Sequence, residues 1–269
     1  MTEDKCFIDI FKILMSNGKK SSPRGQEIIE LENFNCLFKP YIRFMNFKVR
    51  KLNLDYIKKE FLWYLKGDKF DTSICDYASL WQNLVDEDGI INSNYGQYIF
   101  GSLNQFENVI KILQKDKDSR RASIIILQPY HLLSEKKDIP CTYAINFRIR
   151  NDKLNMTVHM RSQDAIYGLG NDLPTFSFIH EMVFIYLRDT KYDNLQYGDY
   201  HHIVDSFHVY KKHYGMVNKI IDGDTYSHID CPNINNINEV FCLLNQIHRD
   251  NLVISLKDHQ FLFYDWLLT

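Results

Sequence analysis

Residues 142 to 172, TYAINFRIRNDKLNMTVHMRSQDAIYGLGND, decide the architecture of this chain. Thr142 to Arg150 and Leu154 to Arg161 alternate between apolar and polar side chains, and Asn151-Asp152-Lys153 between them supplies turn residues, which predicts a β-hairpin. A strand turns successive side chains to opposite faces, so Leu154, Met156, Val158 and Met160 take one face. Asn155, Thr157, His159 and Arg161 take the other, and that polar face is where a site is expected. Downstream, Leu173 to Leu187 is a long apolar segment with Pro174 near its start. That pattern predicts a helix with proline in its first turn and Asp172 as its N-cap.

Working outward, Leu54, Ile57, Phe61, Leu62 and Leu65 recur at helical spacing before a Gly67-Asp68 stop, and Glu60 falls inside that helix. Phe106 to Leu113 has the same period. The polar run Gln114 to Arg121 has nothing to fill a core, so it faces solvent or ligand, and Ala122 to Leu127 reads as a buried strand. A tyrosine-rich segment, Tyr192 to Tyr200, precedes an apolar-periodic stretch from Val204 to Val217. With 269 residues and 45% hydrophobic content the chain can bury one sizeable core, and residues 1–269 are expected to form one domain.

A net charge of -2 gives no global reason to bind a nucleic-acid backbone, and no stable nucleic-acid partner is expected. The six cysteines form no CxxC pair and no zinc-ligand spacing, so no metal is expected. The charged N-terminus lacks the form of a signal peptide, and no apolar run of about eighteen residues could span a bilayer. A soluble, cytoplasmic protein with mostly free thiols is expected.

Several residues stand out for their chemistry. Cys141 follows Pro140 just before a strand, a place that fixes a side chain at the mouth of a sheet. One reading is a small buried hydrophobe. The other is a nucleophile, which needs a cationic neighbour to ionise, and Arg161 could supply it. Arg120 and Arg121 read either as a solvated turn or as a pair in which one guanidinium meets an oxyanion while the other anchors it. Arg24 and Arg161 are further candidates, since planar forks match phosphate oxygens. His208 and Tyr210, close to His213, could hold sugar hydroxyls. Glu60 is either exposed beside Lys58 and Lys59 or a general acid or base with a raised pKa.

Together these pieces resemble the thymidylate synthase superfamily over most of the chain. The match rests on Glu60-Phe61-Leu62-Trp63-Tyr64-Leu65-Lys66-Gly67-Asp68, Trp81, Tyr95-Gly96, Asp118-Ser119-Arg120-Arg121, Pro140-Cys141, Arg161-Ser162-Gln163-Asp164, Gly168-Leu169 and His208-Val209-Tyr210. The resemblance implies an α+β fold: a large mixed β-sheet packed by helices, with one sheet face forming a two-fold dimer interface. It also implies 5,10-methylenetetrahydrofolate as one-carbon donor, a pyrimidine nucleoside monophosphate as substrate, and a covalent adduct of Cys141. By the same resemblance Glu60 orders water and relays protons, and Tyr95 assists proton removal. Trp81, Asp164 and Gly168 serve the folate, with Asp164 at the pterin. Arg24, Arg161 and Ser162 hold phosphate, helped by Arg120 and Arg121 of the neighbouring subunit, and His208 and Tyr210 hold the sugar.

The chain also departs from the methylating synthases. They usually show Gly-Leu-Pro-Phe-Asn where this chain has Gly168-Leu169-Gly170-Asn171-Asp172, and they commonly place histidine and tryptophan where Thr142 and Leu84 stand. These departures look more like the deoxycytidylate hydroxymethylases of phages. An amide answers uracil, which offers an N3 donor and an O4 acceptor. Cytosine reverses both, and a carboxyl group that carries or shares a proton answers it. Asp172 therefore favours cytosine, with Asn171 a helper, and a hydroxymethyl product from dCMP is expected. The alternatives are a C5 methyltransferase and a non-catalytic RNA-binding or assembly relative.

Overall fold

The computed structural model describes residues 2–133, 136–246 and 261–269. In chain order its elements are α1 (Glu3–Asn17), β1 (Lys19–Ser21), β2 (Ile28–Phe38), α2 (Leu54–Lys66), α3 (Gly96–Ile99), α4 (Gln105–Lys115), β3 (Ser123–Ile125), α5 (Pro129–Leu132), β4 (Thr142–Arg150), β5 (Lys153–Asp164), α6 (Tyr167–Thr190), β6 (Gln196–Tyr210), α7 (Tyr214–Ile221), α8 (Ile237–Gln246) and α9 (Leu262–Leu268). The strands form one mixed sheet in the order β1-β2-β6-β5-β4-β3. Every pairing is antiparallel except β5 with β6, which α6 joins as the crossover helix.

The expected hairpin is present. Asn151 and Asp152 at its tip have φ of 51° and 56°, the left-handed pair that a two-residue turn matched to strand twist requires. Leu154, Met156, Val158 and Met160 are fully buried against the helical layer, where α6 contributes Leu169, Leu173, Phe176, Phe178 and Ile179. Asn155, Thr157 and His159 share the opposite face with Arg148, Arg150 and His201, around a shallow depression. That face is not where the main pocket lies; of the four polar residues expected there, only Arg161, at the strand's far end, reaches it.

Two expectations are corrected. Asp172 is not an N-cap: α6 begins five residues earlier, at Tyr167, and Pro174 lies in its interior. The Asp164 carboxylate does the capping, accepting from the backbone N–H of Tyr167 at 2.8 Å and of Gly168 at 3.3 Å. Pro174 has no N–H to offer the Gly170 carbonyl four residues back, and just beyond it Thr175 Oγ1 donates to Asp172 O and Ser177 Oγ to Leu173 O. Val204 to Val217 is not one periodic element either. β6 runs to Tyr210, and α7 starts only at Tyr214.

A buried ion pair ties α6 to the rest of the core. Arg43 donates to Glu181 at 2.7 Å with both side chains almost fully buried, and the second Glu181 oxygen accepts from the Ile234 N–H. Among the described residues no helix is long and apolar enough to cross a membrane.

Candidate active site

The C-terminal ends of β5 and β6, the start of α6, the middle of α2 and the loop before β4 converge on a cavity of about 340 Å³. It is lined by Arg24, Glu60, Trp81, Tyr95, Cys141, Arg161, Ser162, Asp164, Gly168, Asn171, Asp172, His208 and Tyr210, so every residue expected at the site is there except Arg120 and Arg121. Those two sit on the loop between α4 and β3, beside Ser119 in a separate exposed depression.

Cys141 is delivered by a loop gripped through its backbone. Arg161 donates from Nε to the Pro140 carbonyl at 3.0 Å and from Nη2 to the Ile139 carbonyl at 2.8 Å, while its own N–H reaches Cys141 O. From the other side, Asp138 accepts from the N–H and hydroxyl of Ser93, and its carbonyl takes the Asn92 amide, tying the loop to the segment that carries Tyr95. A bulge between Thr142 and Ala144 follows at once, the kind of irregularity that re-aims a side chain at a sheet edge. The cationic help expected from Arg161 is present but does not prevail. Burial pushes the Cys141 thiol above its ordinary pKa, and Arg161 and Arg24 only partly offset it.

Glu60 is buried, which overturns its exposed reading. The flanking lysines do not keep α2 at the surface: α3, α6 and α8 pack against it, and Lys58 is itself buried with its ammonium over the Trp266 ring. Glu60 and Asp172 share the pocket, and burial pushes both carboxyls well above the usual range, Glu60 further because Asp172 adds its charge. At neutral pH the pair holds a proton that two exposed carboxylates would have lost. Gln163 donates to Asp172 Oδ2 at 2.9 Å, and Tyr56 donates to Glu60 Oε1 at 2.5 Å. Glu60 Oε2 is buried with no partner among the described residues.

The glycines of the Gly168-Leu169-Gly170 run are required by close approach. A Cβ on Gly170 would lie 2.3 Å from the Arg50 guanidinium, and one on Gly168 2.7 Å from the Gln163 amide that holds Asp172. Arg50, buried beneath the helix start, donates to Ile166 O and to Asn171 Oδ1. Asn171 is thus held by Arg50, and Gly170 gives that arginine its space. Tyr95 stacks between Tyr64 and Phe176, at centroid distances of 5.5 and 6.0 Å. Its neighbour Gly96 permits this, since a Cβ there would meet Tyr64 O at 2.0 Å. Arg24 has a left-handed φ of 52°, ahead of Gly25 on the loop that leads into β2. His208 and Tyr210 meet edge to face at 5.1 Å, whereas His213 packs on Tyr167 and does not line the pocket.

Four participants escaped the sequence: Tyr56, Ser93, Asp138 and Gln163. Two carried a signal. Tyr56 stands four residues before Glu60 on a helix, the spacing at which side chains meet, and Asp138 stands three before the thiol.

A mixed sheet with one parallel crossover, ending in a pocket that holds a thiol and two acids, defines the class: an α+β protein of thymidylate synthase-like fold. The family model described as thymidylate synthase matches residues 5–255, and the chain belongs to that family. It is similar to the deoxyuridylate hydroxymethyltransferase of Bacillus phage SP01, 30% identical over 225 residues that cover 78% of this chain and 57% of that protein. It is also similar to the deoxycytidylate 5-hydroxymethyltransferases of Enterobacteria phages T4 and T6, 31% identical over 175 and 179 residues, 62% of this chain and 71% of each relative. The chain thus spans little more than half the length of the Bacillus phage relative. Family members transfer one-carbon units from methylenetetrahydrofolate to pyrimidine nucleoside monophosphates. Among the described residues no group of three or more His, Cys, Asp or Glu side chains could hold a metal ion.

Proposed function

We propose that this protein converts dCMP to 5-hydroxymethyl-dCMP, with 5,10-methylenetetrahydrofolate supplying the one-carbon unit. The observation that carries the reading is Asp172, half-buried in the pocket, raised in pKa and held at one oxygen by Gln163. A carboxylate at this position accepts from the cytosine N4 amino group, and a proton shared with N3 answers the ring nitrogen, whereas uracil O4 offers the same oxygen only a second acceptor. The residues also fit a folate. Trp81 has its N–H committed to Tyr56, which leaves its ring as a flat wall beside Leu80 and Leu84, and the unpartnered Glu60 Oε2 awaits a polar neighbour.

The chemistry assigned to the chain's own groups runs as follows. Cys141 sulfur adds to C6 of the pyrimidine, which makes C5 nucleophilic. Burial favours the protonated thiol, so the reaction requires its proton to leave as the nucleotide docks beside Arg161 and Arg24. Arg24, Arg161 and Ser162 take the phosphate; Arg161 spends two of its five N–H groups on the Cys141 loop and has others to offer. His208 and Tyr210 hold the sugar, Asn171 steadies Asp172, and Tyr95 assists removal of the C5 proton. The Asp164 carboxylate and Gly168, at the start of α6, receive the pterin. Glu60 handles the proton of the water that completes the hydroxymethyl group. Arg120 and Arg121, exposed and away from this pocket, serve the phosphate site of a second subunit, with the polar face of the sheet as the dimer interface.

Mass spectrometry of the products from an equimolar mixture of dCMP, CMP and dUMP with methylenetetrahydrofolate tests the reading. Hydroxymethyl-dCMP with tetrahydrofolate is expected. Methylated product with dihydrofolate would overturn hydroxymethylation, and preferential use of dUMP, the substrate named for the Bacillus phage relative, would overturn the role of Asp172.

A further inference from the structure

Trp81, Tyr56 and Glu60 form a hydrogen-bonded file that ends in the pocket. The Trp81 indole N–H donates to the Tyr56 hydroxyl at 2.9 Å, and that hydroxyl donates to Glu60 Oε1 at 2.5 Å. An indole nitrogen only donates, so the phenol oxygen accepts from it, and Glu60 Oε1 is the acceptor that the described residues place within reach of the single phenol proton. With that proton directed to Oε1, Glu60 carries its own on Oε2, which is buried with no partner among the described residues.

From this we propose that Tyr56 is a positioning residue that confines every proton Glu60 exchanges to Oε2, making that oxygen the one that takes the proton of the attacking water. The inference rests on the assignment of Glu60 given above. In the step concerned, water oxygen bonds to the exocyclic carbon attached to C5, and the water proton passes to Glu60 Oε2. The electron pair of the exocyclic double bond moves into the ring and becomes the restored C5–C6 double bond, while the C6–S bonding pair leaves on the Cys141 sulfur as that bond breaks.

The surroundings give Tyr56 a second effect. The ionisable groups nearest Glu60 are Tyr56 and Tyr64 on its own helix and Asp172 on α6, with Tyr95 and Cys141 on the two loops that close the pocket; Arg24, Arg161 and His208 line the same cavity on the Cys141 side. An ionised Asp172 opposes charge on Glu60. Among the described residues the donated Tyr56 hydrogen bond is the contact that favours the Glu60 carboxylate. Loss of it leaves the base form harder to reach.

Wild type, Tyr56→Phe and Glu60→Gln are compared in two measurements. The first is the infrared carboxylic-acid C=O band that is present in wild type and absent in Glu60→Gln, followed against pH without turnover. The second is hydroxymethyl-dCMP formation against pH. In Tyr56→Phe the band should persist to a pH higher by about one unit, the worth of one hydrogen bond to a charged group. The alkaline-going rise of product formation should move by the same amount, with KM for dCMP unchanged. An unmoved infrared midpoint overturns the inference, and because it needs no turnover it decides even for an inactive variant. Absence of hydroxymethyl product in wild type would instead sink the functional reading and leave the infrared result to stand by itself.

Discussion

Replacing Asp172 by Asn changes which pyrimidine the pocket can satisfy while disturbing little else. The amide oxygen can accept the 2.9 Å hydrogen bond from Gln163 as the carboxylate does, so the side chain keeps its place. What then faces the base is an NH2 group in place of a carboxyl. With dCMP the cytosine N4 donor meets another donor, and one buried group is left unpaired at about 2 kcal/mol. With dUMP the amide answers O4, and a comparable penalty is removed. The two together come to about 4 kcal/mol, or about three decades in the ratio of kcat/KM for the two nucleotides. The assay is release of tritium from C5-labelled dCMP and dUMP, each with methylenetetrahydrofolate, with nucleotide binding measured separately. A ratio within about threefold of wild type would refute the assignment of Asp172 as base reader, since one buried mismatch is worth at least that much.

Other consequences can be checked in parallel. Cys141→Ala should abolish turnover and leave dCMP binding within about threefold, read by calorimetry; substantial residual turnover would contradict the nucleophile. Glu60 has a folded pKa raised above its ordinary value, so its proton-linked stability is fully present below the usual carboxylate range and is lost as pH rises through the raised value. The wild-type Tm should therefore fall across that window more than that of Glu60→Gln, and parallel curves would count against a buried acid. Glu181→Gln leaves the Arg43 charge buried without its partner and should cost about 3 to 5 kcal/mol in denaturant unfolding. A cost below about 1 kcal/mol would mean that the pair is not closed off from water. Gly96→Ala forces a methyl against the Tyr64 backbone and should cost about 3 kcal/mol or more; a near-neutral variant would show that α2 and α3 can separate at no cost.

Much of this was legible in the residues, and the exceptions have physical causes. The β4–β5 hairpin was open to view because its alternation and its turn residues agree. α2 was equally plain, yet the surroundings of Glu60 were not. Two lysines in sequence read as a solvated face, and only packing by three other helices puts Lys58 and Glu60 inside. The start of α6 was hidden because its cues conflict: two glycines read as loop residues and Pro174 as a first-turn residue, whereas the glycines answer the close approach of Gln163 and Arg50. The capping carboxylate, Asp164, lies at the end of the preceding strand, where no local rule for helix starts would look. Asp138 grips Ser93, 45 residues away, and Gln163 reaches from the end of one strand into the next helix, contacts between elements that a pattern within one element cannot register.

The grip of Arg161 on the carbonyls of Ile139 and Pro140 has a consequence for variation. Every residue type carries a backbone carbonyl, so the nucleophile's position does not depend on the identity of the side chain at 139. Substitutions there can drift without moving the sulfur, whereas the arginine cannot be exchanged even for lysine without losing one of two simultaneous anchors. Selection at this site should thus fall on the residue across the sheet rather than on the chemical group's immediate neighbour in the chain. The same independence makes Cys141→Ser a natural form in which to trap an intact nucleotide and folate together, with the backbone still set for attack.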